Sequence, residues 1–187
     1  MRELSLHILD IIQNSLEAGA TRIQLSIVED LKSDLLTIKV EDNGRGMDAQ
    51  LLARVLDPFF TTRTSRRVGL GLPLLAAAAQ RCNGDLRIES QPGKGTTVTA
   101  TFQHSHIDRA PLGNMEATLI SPLLANPEVE FGYTHRVNDR EFRFSTKEIR
   151  QQLGGIPLTY GPVIQWLREF IAENLAALYN TEKNKQG

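Results

Sequence analysis

Two stretches that alternate apolar with polar residues, TRIQLSIVED (21–30) and LLTIKVED (35–42), are separated only by LKSD. A period of two places every second side chain on the same face, so each stretch asks for an apolar cover on one side and water on the other. The short polar connection makes them an antiparallel hairpin. The cover comes just before them. Leu4, Ile8, Ile11, Ile12 and Leu16 recur at helical spacing, and Gly19 follows as a stop, which predicts a helix over about residues 3–18.

The rest of the chain continues this alternation of elements. A glycine-rich loop, NGRGMD, leads into a short helix near 48–55, and DPFFTTRTSRRVGLG reads as a loop. LPLLAAAAQRC is a strong helix, with Pro73 suited to the first turn and four alanines after it. DLRIES and TTVTATFQ are two more strands, joined by QPGKG. The order predicts an α+β fold, an α/β sandwich with helices on one face of a mostly antiparallel sheet, spanning residues 1–103. HSHIDRAPLGN, residues 104–113 in the main, reads as a linker. A small α+β extension follows over 114–180: a helix in MEATLISPLLAN, a hairpin around Asn138 and Asp139, and a helix capped by Ser145 with Glu148. A last helix begins at Pro162, and the tail 181–187 is expected to fray.

Bulk properties exclude several classes. The formal net charge of −1 gives no whole-chain field for nucleic acid or an anionic membrane, and Arg136, Arg140 and Arg143 are too few for a nucleic-acid surface. No apolar run approaches the roughly 18 residues needed to span a bilayer, and the N-terminus lacks a signal-peptide pattern. A single cysteine, Cys82, makes no intramolecular disulfide and reads as a buried thiol. A cytoplasmic location is expected.

Four motifs carry chemistry. Asp42, at a strand end in VEDNGRGM, can accept from an exocyclic amine and so would favour adenine over guanine, while Gly44 and Gly46 let the backbone approach a flat base. A tight turn rich in Asp, Asn and Gly fits the same residues. Gly69 and Gly71 open the alanine-rich helix, where free N–H groups and the helix dipole suit an anion, and Arg63, Arg66 and Arg67 add positive charge upstream. A solvated basic loop is the other reading. His7, Asp10, Asn14 and Glu17 form a polar stripe on the first helix; an amide oxygen at Asn14 suits a magnesium shell, and a carboxylate at Asp10 can take a proton. The fourth motif, PGKGTTVT, is a hairpin turn with a lysine and hydroxyls.

The order of these motifs resembles that of the GHKL ATPases, the family of gyrase, MutL, the large heat-shock chaperone and histidine kinases. DIIQNSLEAGATRI is similar to the N box of MutL and gyrase, whereas VEDNGRGM, DPFFTTR and GLGLPLL are closer to the G1, F and G2 boxes of a histidine kinase. The resemblance covers about residues 3–103 and implies a Bergerat ATP-binding sandwich using ATP and Mg²⁺. It implies Asn14 as the magnesium ligand, Asp42 as the adenine contact, Gly44 and Gly46 as shapers of the base pocket and Met47 as its apolar wall. Arg63, Gly69, Leu70, Gly71 and Leu72 would meet the phosphates, and Thr96 or Thr97 would lie on the adenine side. The segment Arg63–Val68 would be a short lid. Asp10 holds the position where hydrolysing relatives carry Glu. The side chain is shorter by about 1.5 Å, and a misplacement of about 1 Å can cost roughly a hundredfold, so slow hydrolysis is expected.

No helix with an acceptor histidine is expected ahead of the first box, and His7 within that box is a poor acceptor. A kinase-type domain that phosphorylates a separate protein, on His or on Ser/Thr as anti-sigma-factor kinases do, is the favoured expectation. The alternative is an ATP-gated binding module without transfer. The apolar residues Phe131, Phe142, Phe144 and Trp166 either pack on the ATP domain or form a partner or dimer surface.

Overall fold

The computed structural model describes residues 2–57 and 71–180. Its elements are α1 (Leu4–Glu17), β1 (Arg22–Asp30), β2 (Leu35–Asp42), α2 (Ala49–Arg54), α3 (Gly71–Arg81), β3 (Leu86–Gln91), β4 (Gly95–Gln103), α4 (Met115–Ala125), β5 (Glu130–Val137), β6 (Arg140–Ser145), α5 (Thr146–Leu153) and α6 (Gly161–Tyr179). The frayed tail expected over 181–187 lies outside the described residues.

The α+β sandwich is present, and its sheet is larger than the sequence shows. Six strands run in the order β3-β4-β2-β1-β5-β6, antiparallel throughout except that β5 lies parallel to β1. The hairpin after Gln103 thus adds to the sheet begun by the first one. Register explains the single core. Ile88, Val98, Val40, Leu25, Tyr133 and Phe144 are successive partners across all six strands. Such a row puts one apolar stripe on one face, where Ile8, Ile12, Leu75, Leu119, Leu167 and Ile171 from α1, α3, α4 and α6 cover it. Phe131, Phe142 and Phe144 belong to this core; Trp166 is 43% exposed and stacks on Phe170 with 5.1 Å between ring centroids.

Residues 104–113 are bonded to the sandwich: His104 N–H donates to the Asp34 carbonyl, Leu4 N–H to Pro111 and Ser5 N–H to Leu112. At the far end of the sheet a buried carboxylate joins the two stretches of chain. Glu29, 5% exposed, accepts from the Tyr179 hydroxyl at 2.5 Å and bonds His135 Nε2 at 2.7 Å and His104 Nε2 at 3.0 Å. Burial alone would raise its pKa, but these hydrogen bonds outweigh burial and hold it at about 2.

One local expectation is corrected. Ser145 does precede α5, yet its hydroxyl makes no capping bond. Ser145 is still paired with Gly132 in the β5–β6 ladder, with φ at −136°, so the strand dictates its geometry. The anchor is Thr146, whose buried hydroxyl accepts from Phe131 N–H at 2.9 Å. Cys82 is a buried free thiol.

Candidate nucleotide site

α1 stands over the sheet with its apolar side down, and this orientation fixes where its polar residues go. Asp10 and Asn14 are one turn apart and half-buried, at the rim of the covered face. His7, one turn earlier, is 6% exposed, and its Nδ1 has no partner among the described residues. Burial, with the nearby Arg2, holds its imidazole below the usual histidine range. Asp10 pairs with Arg2 at 2.9 Å. Against Asp10 sits the start of α3: a Cβ added to Gly71 would lie 3.3 Å from the Asp10 Cβ. The first turn of an eleven-residue helix, where N–H groups lack partners within the helix and suit an anion, therefore begins beside the Asp10 carboxylate. Leu72 is buried beside them.

The other pole of the site is the end of β2. Asp42 shares its row with Ile23 on β1 and Thr96 on β4, and Thr96 in turn pairs with Ser90 on β3. Both carboxylate oxygens are fixed: Ser15 of α1 donates to Oδ2 at 2.7 Å and Gly44 N–H to Oδ1 at 2.9 Å. A carboxylate offers about four lone-pair sites, so Asp42 keeps acceptor capacity for a ligand. Beyond it the loop is drawn tight. The Asn43 amide oxygen accepts from Thr21 and Arg22 N–H, both at 2.9 Å, and Arg45 N–H donates to Ala18. Gly46 has φ +69° and its Cβ would lie 1.9 Å from the Gln91 carbonyl, a position that only glycine fills without strain. Met47, half-buried, donates its N–H to Ser90 Oγ at 2.8 Å.

The structure separates two residues that the sequence left as alternatives. Thr96 lies on the Asp42 face of the sheet; Thr97, partner of Glu41 and Glu89, points from the other face. Asp10, Asn14, Asp42, Gly44, Gly46, Met47, Gly71, Leu72 and Thr96 thus gather along one edge of the sandwich. Arg63, Gly69, Leu70 and the expected lid Arg63–Val68 lie outside the described residues. Three polar residues at the site were not singled out from the sequence: Ser15, Asn43 and Ser90. Ser15 and Ser90 sit at positions whose spacing assigns them to the covered face, and a small polar residue there is the signal that was available.

Comparison with known proteins now has a geometry to meet. Residues 2–106 match the model of the histidine kinase-, DNA gyrase B- and HSP90-like ATPase family, and the chain belongs to that family. The signal transduction histidine-protein kinase AtoS of Escherichia coli is 40% identical over 93 residues, covering 49% of this chain and 15% of that protein. The sensor protein kinase FleS of Pseudomonas aeruginosa is 39% identical over 92 residues, 49% of this chain and 23% of FleS. The match therefore spans under a quarter of these relatives. A crystal structure of the N-terminal domain of a DNA repair protein shares the fold, with a TM-score of 0.54 at 15% identity over 76% of this chain and 52% of that one. The sandwich is of the Bergerat type, and the relatives it matches include a signal transduction histidine-protein kinase and a sensor protein kinase. Among the described residues no helix is long and apolar enough to cross a membrane.

Proposed function

We propose that this chain binds Mg-ATP along the Asp10–Asp42 edge and transfers the γ-phosphoryl group to a separate protein, on histidine or on serine or threonine. The observation that carries this reading is Asp42 itself, a half-buried carboxylate at the end of β2 whose two oxygens are bonded by Ser15 and Gly44, with acceptor capacity left for an adenine amine.

The residues present fit the nucleotide and its metal. No group of three or more His, Cys, Asp or Glu able to hold an ion exists among the described residues. That suits magnesium, which is commonly held by one or two protein oxygens together with phosphate oxygens and water. Asn14 supplies the protein oxygen in this reading, and the ion, when bound, neutralises charge on the phosphates. Gly69, Leu70, Gly71 and Leu72 offer backbone N–H groups to them, and Arg63 adds charge. Asp10 holds the proton-accepting position. Its pairing with Arg2 fixes the direction of the carboxylate, and its short side chain favours a docked protein hydroxyl or imidazole over water.

A second reading has an observation of its own. The start of α1, which carries Asp10 and Asn14, is bonded through Leu4 and Ser5 to Pro111 and Leu112. Nucleotide at the site would then reach the segment leading into α4, as an ATP-gated module requires. Incubation of the full chain with γ-labelled ATP and extract of its source cells separates the two. A labelled partner supports the kinase, acid-labile for histidine and acid-stable for serine or threonine. ATP-dependent association without label supports the module.

A further inference from the structure

Ser90 is a residue to which neither the motifs nor the family match assigns a role, and its hydroxyl makes three contacts. It accepts from Met47 N–H at 2.8 Å, donates to the Gly95 carbonyl at 3.0 Å, and lies 2.8 Å from the Thr96 hydroxyl. One proton limits how these are satisfied. A serine hydroxyl has one hydrogen and two lone pairs. Met47 N–H is a donor and occupies one lone pair. The Gly95 carbonyl can only accept, so it takes the Ser90 hydrogen. The remaining lone pair then faces Thr96, whose hydroxyl must donate to it. Every contact is met in this arrangement. If Ser90 donated to Thr96 instead, its 3.0 Å contact with the Gly95 carbonyl would go unmet.

From this bookkeeping we infer that Ser90 fixes Thr96 as a hydrogen-bond acceptor and is thereby a specificity-determining residue for a 6-amino purine. Thr96 is the direct cross-strand partner of Asp42, and directly opposed side chains stand about 5 Å apart at Cβ. With its proton committed to Ser90, Thr96 presents lone pairs beside a carboxylate that also only accepts. Two acceptors around one amine, each at about 2.9 Å and about 120° apart, are separated by about 5 Å. The pair Asp42 and Thr96 therefore matches the two hydrogens of an exocyclic amine and opposes a 6-oxo group, which has none. Ser90 acts through Thr96, as a positioning residue.

This inference rests on the nucleotide reading above and is tested apart from it. Binding of Mg-ATP and of Mg-ITP, which differs at the base in carrying a 6-oxo group, is measured calorimetrically on the full chain as wild type, Ser90→Ala, Ser90→Cys and Ser90→Thr. The wild type is expected to prefer ATP. Ser90→Ala and Ser90→Cys release the Thr96 proton, and the ITP-to-ATP ratio of Kd is expected to fall about fivefold or more; Ser90→Thr, which keeps the hydroxyl, is expected to retain the ratio. The cysteine variant preserves shape with a sulfur that is a weak acceptor for the Thr96 proton, so the reading survives poor folding of the alanine one. Equal losses for both nucleotides, with the ratio unmoved, would mean a structural role only and overturn the inference. A wild type that binds neither nucleotide overturns the nucleotide reading and this inference together.

Discussion

Asp42 is held from two directions, by a hydroxyl on α1 and by an N–H two residues on, so its aim depends on residues outside its own strand. Ser15→Ala is expected to weaken Mg-ATP binding about three- to tenfold while leaving the fold intact, because one hydrogen bond to a charged group is lost and the carboxylate is freed to turn. Equal affinity in a titration against wild type would show that Ser15 is packing alone. At the opposite pole, Asp10→Asn keeps size and polarity but cannot take a proton. Phosphoryl transfer to a protein acceptor is expected to fall about a hundredfold or more with ATP affinity within a few-fold. A variant that transfers at the wild-type rate would leave Asp10 as a partner of Arg2 and nothing more.

Loop and strand elements place these residues, and here sequence and structure can be compared position by position. The first helix was legible from Leu4, Ile8, Ile11 and Ile12, the hairpins from their alternation, and α3 from Pro73 and its alanines, because each signal lies within one element. Gly46 was legible as a loop glycine. Its reason was not, since the Gln91 carbonyl that excludes a Cβ comes from a strand forty-odd residues away. Alternation with Val98, Ala100 and Phe102 sets Thr96 on the covered face, but its pairing with Asp42 is fixed only once β4 is registered against β2. The parallel pairing of β5 with β1 leaves no local trace at all. Gly46→Ala must adopt a left-handed backbone and displace the Gln91 carbonyl. A loss of about 2 kcal/mol or more is expected, seen as a drop in Tm of about 4–8 °C.

Across the whole molecule, the segment after Gln103 is built into the sheet. Ending the chain at Gly113 would strip β5 from the edge of β1 and leave Glu29 without His135 and Tyr179. Such a fragment is expected to aggregate or melt far below the full chain, and a fragment that melts as the full chain does would show residues 1–113 to be self-sufficient. Glu29 also sets an acid limit. Its carboxyl titrates near 2 when folded against about 4.5 otherwise, so the unfolded chain takes up the proton first as pH falls. The stabilisation is complete above about pH 4.5, is lost by about pH 2, and amounts to roughly 3 kcal/mol. Denaturant unfolding between those limits is expected to be steeper in pH for wild type than for Glu29→Gln; parallel curves would remove Glu29 from the acid response.

The membership of this chain in an ATPase family and the geometry of its sheet edge meet in one residue, and one titration addresses it. Mg-ATP is added calorimetrically to the full chain as wild type and as Asp42→Asn, with circular dichroism confirming that both are folded. Wild type is expected to bind one equivalent, and the variant, which offers an amide where the amine needs a carboxylate, to bind at least about tenfold more weakly. Equal affinity for the two proteins, or a folded wild type that does not bind ATP, would contradict the assignment of this edge as the nucleotide site.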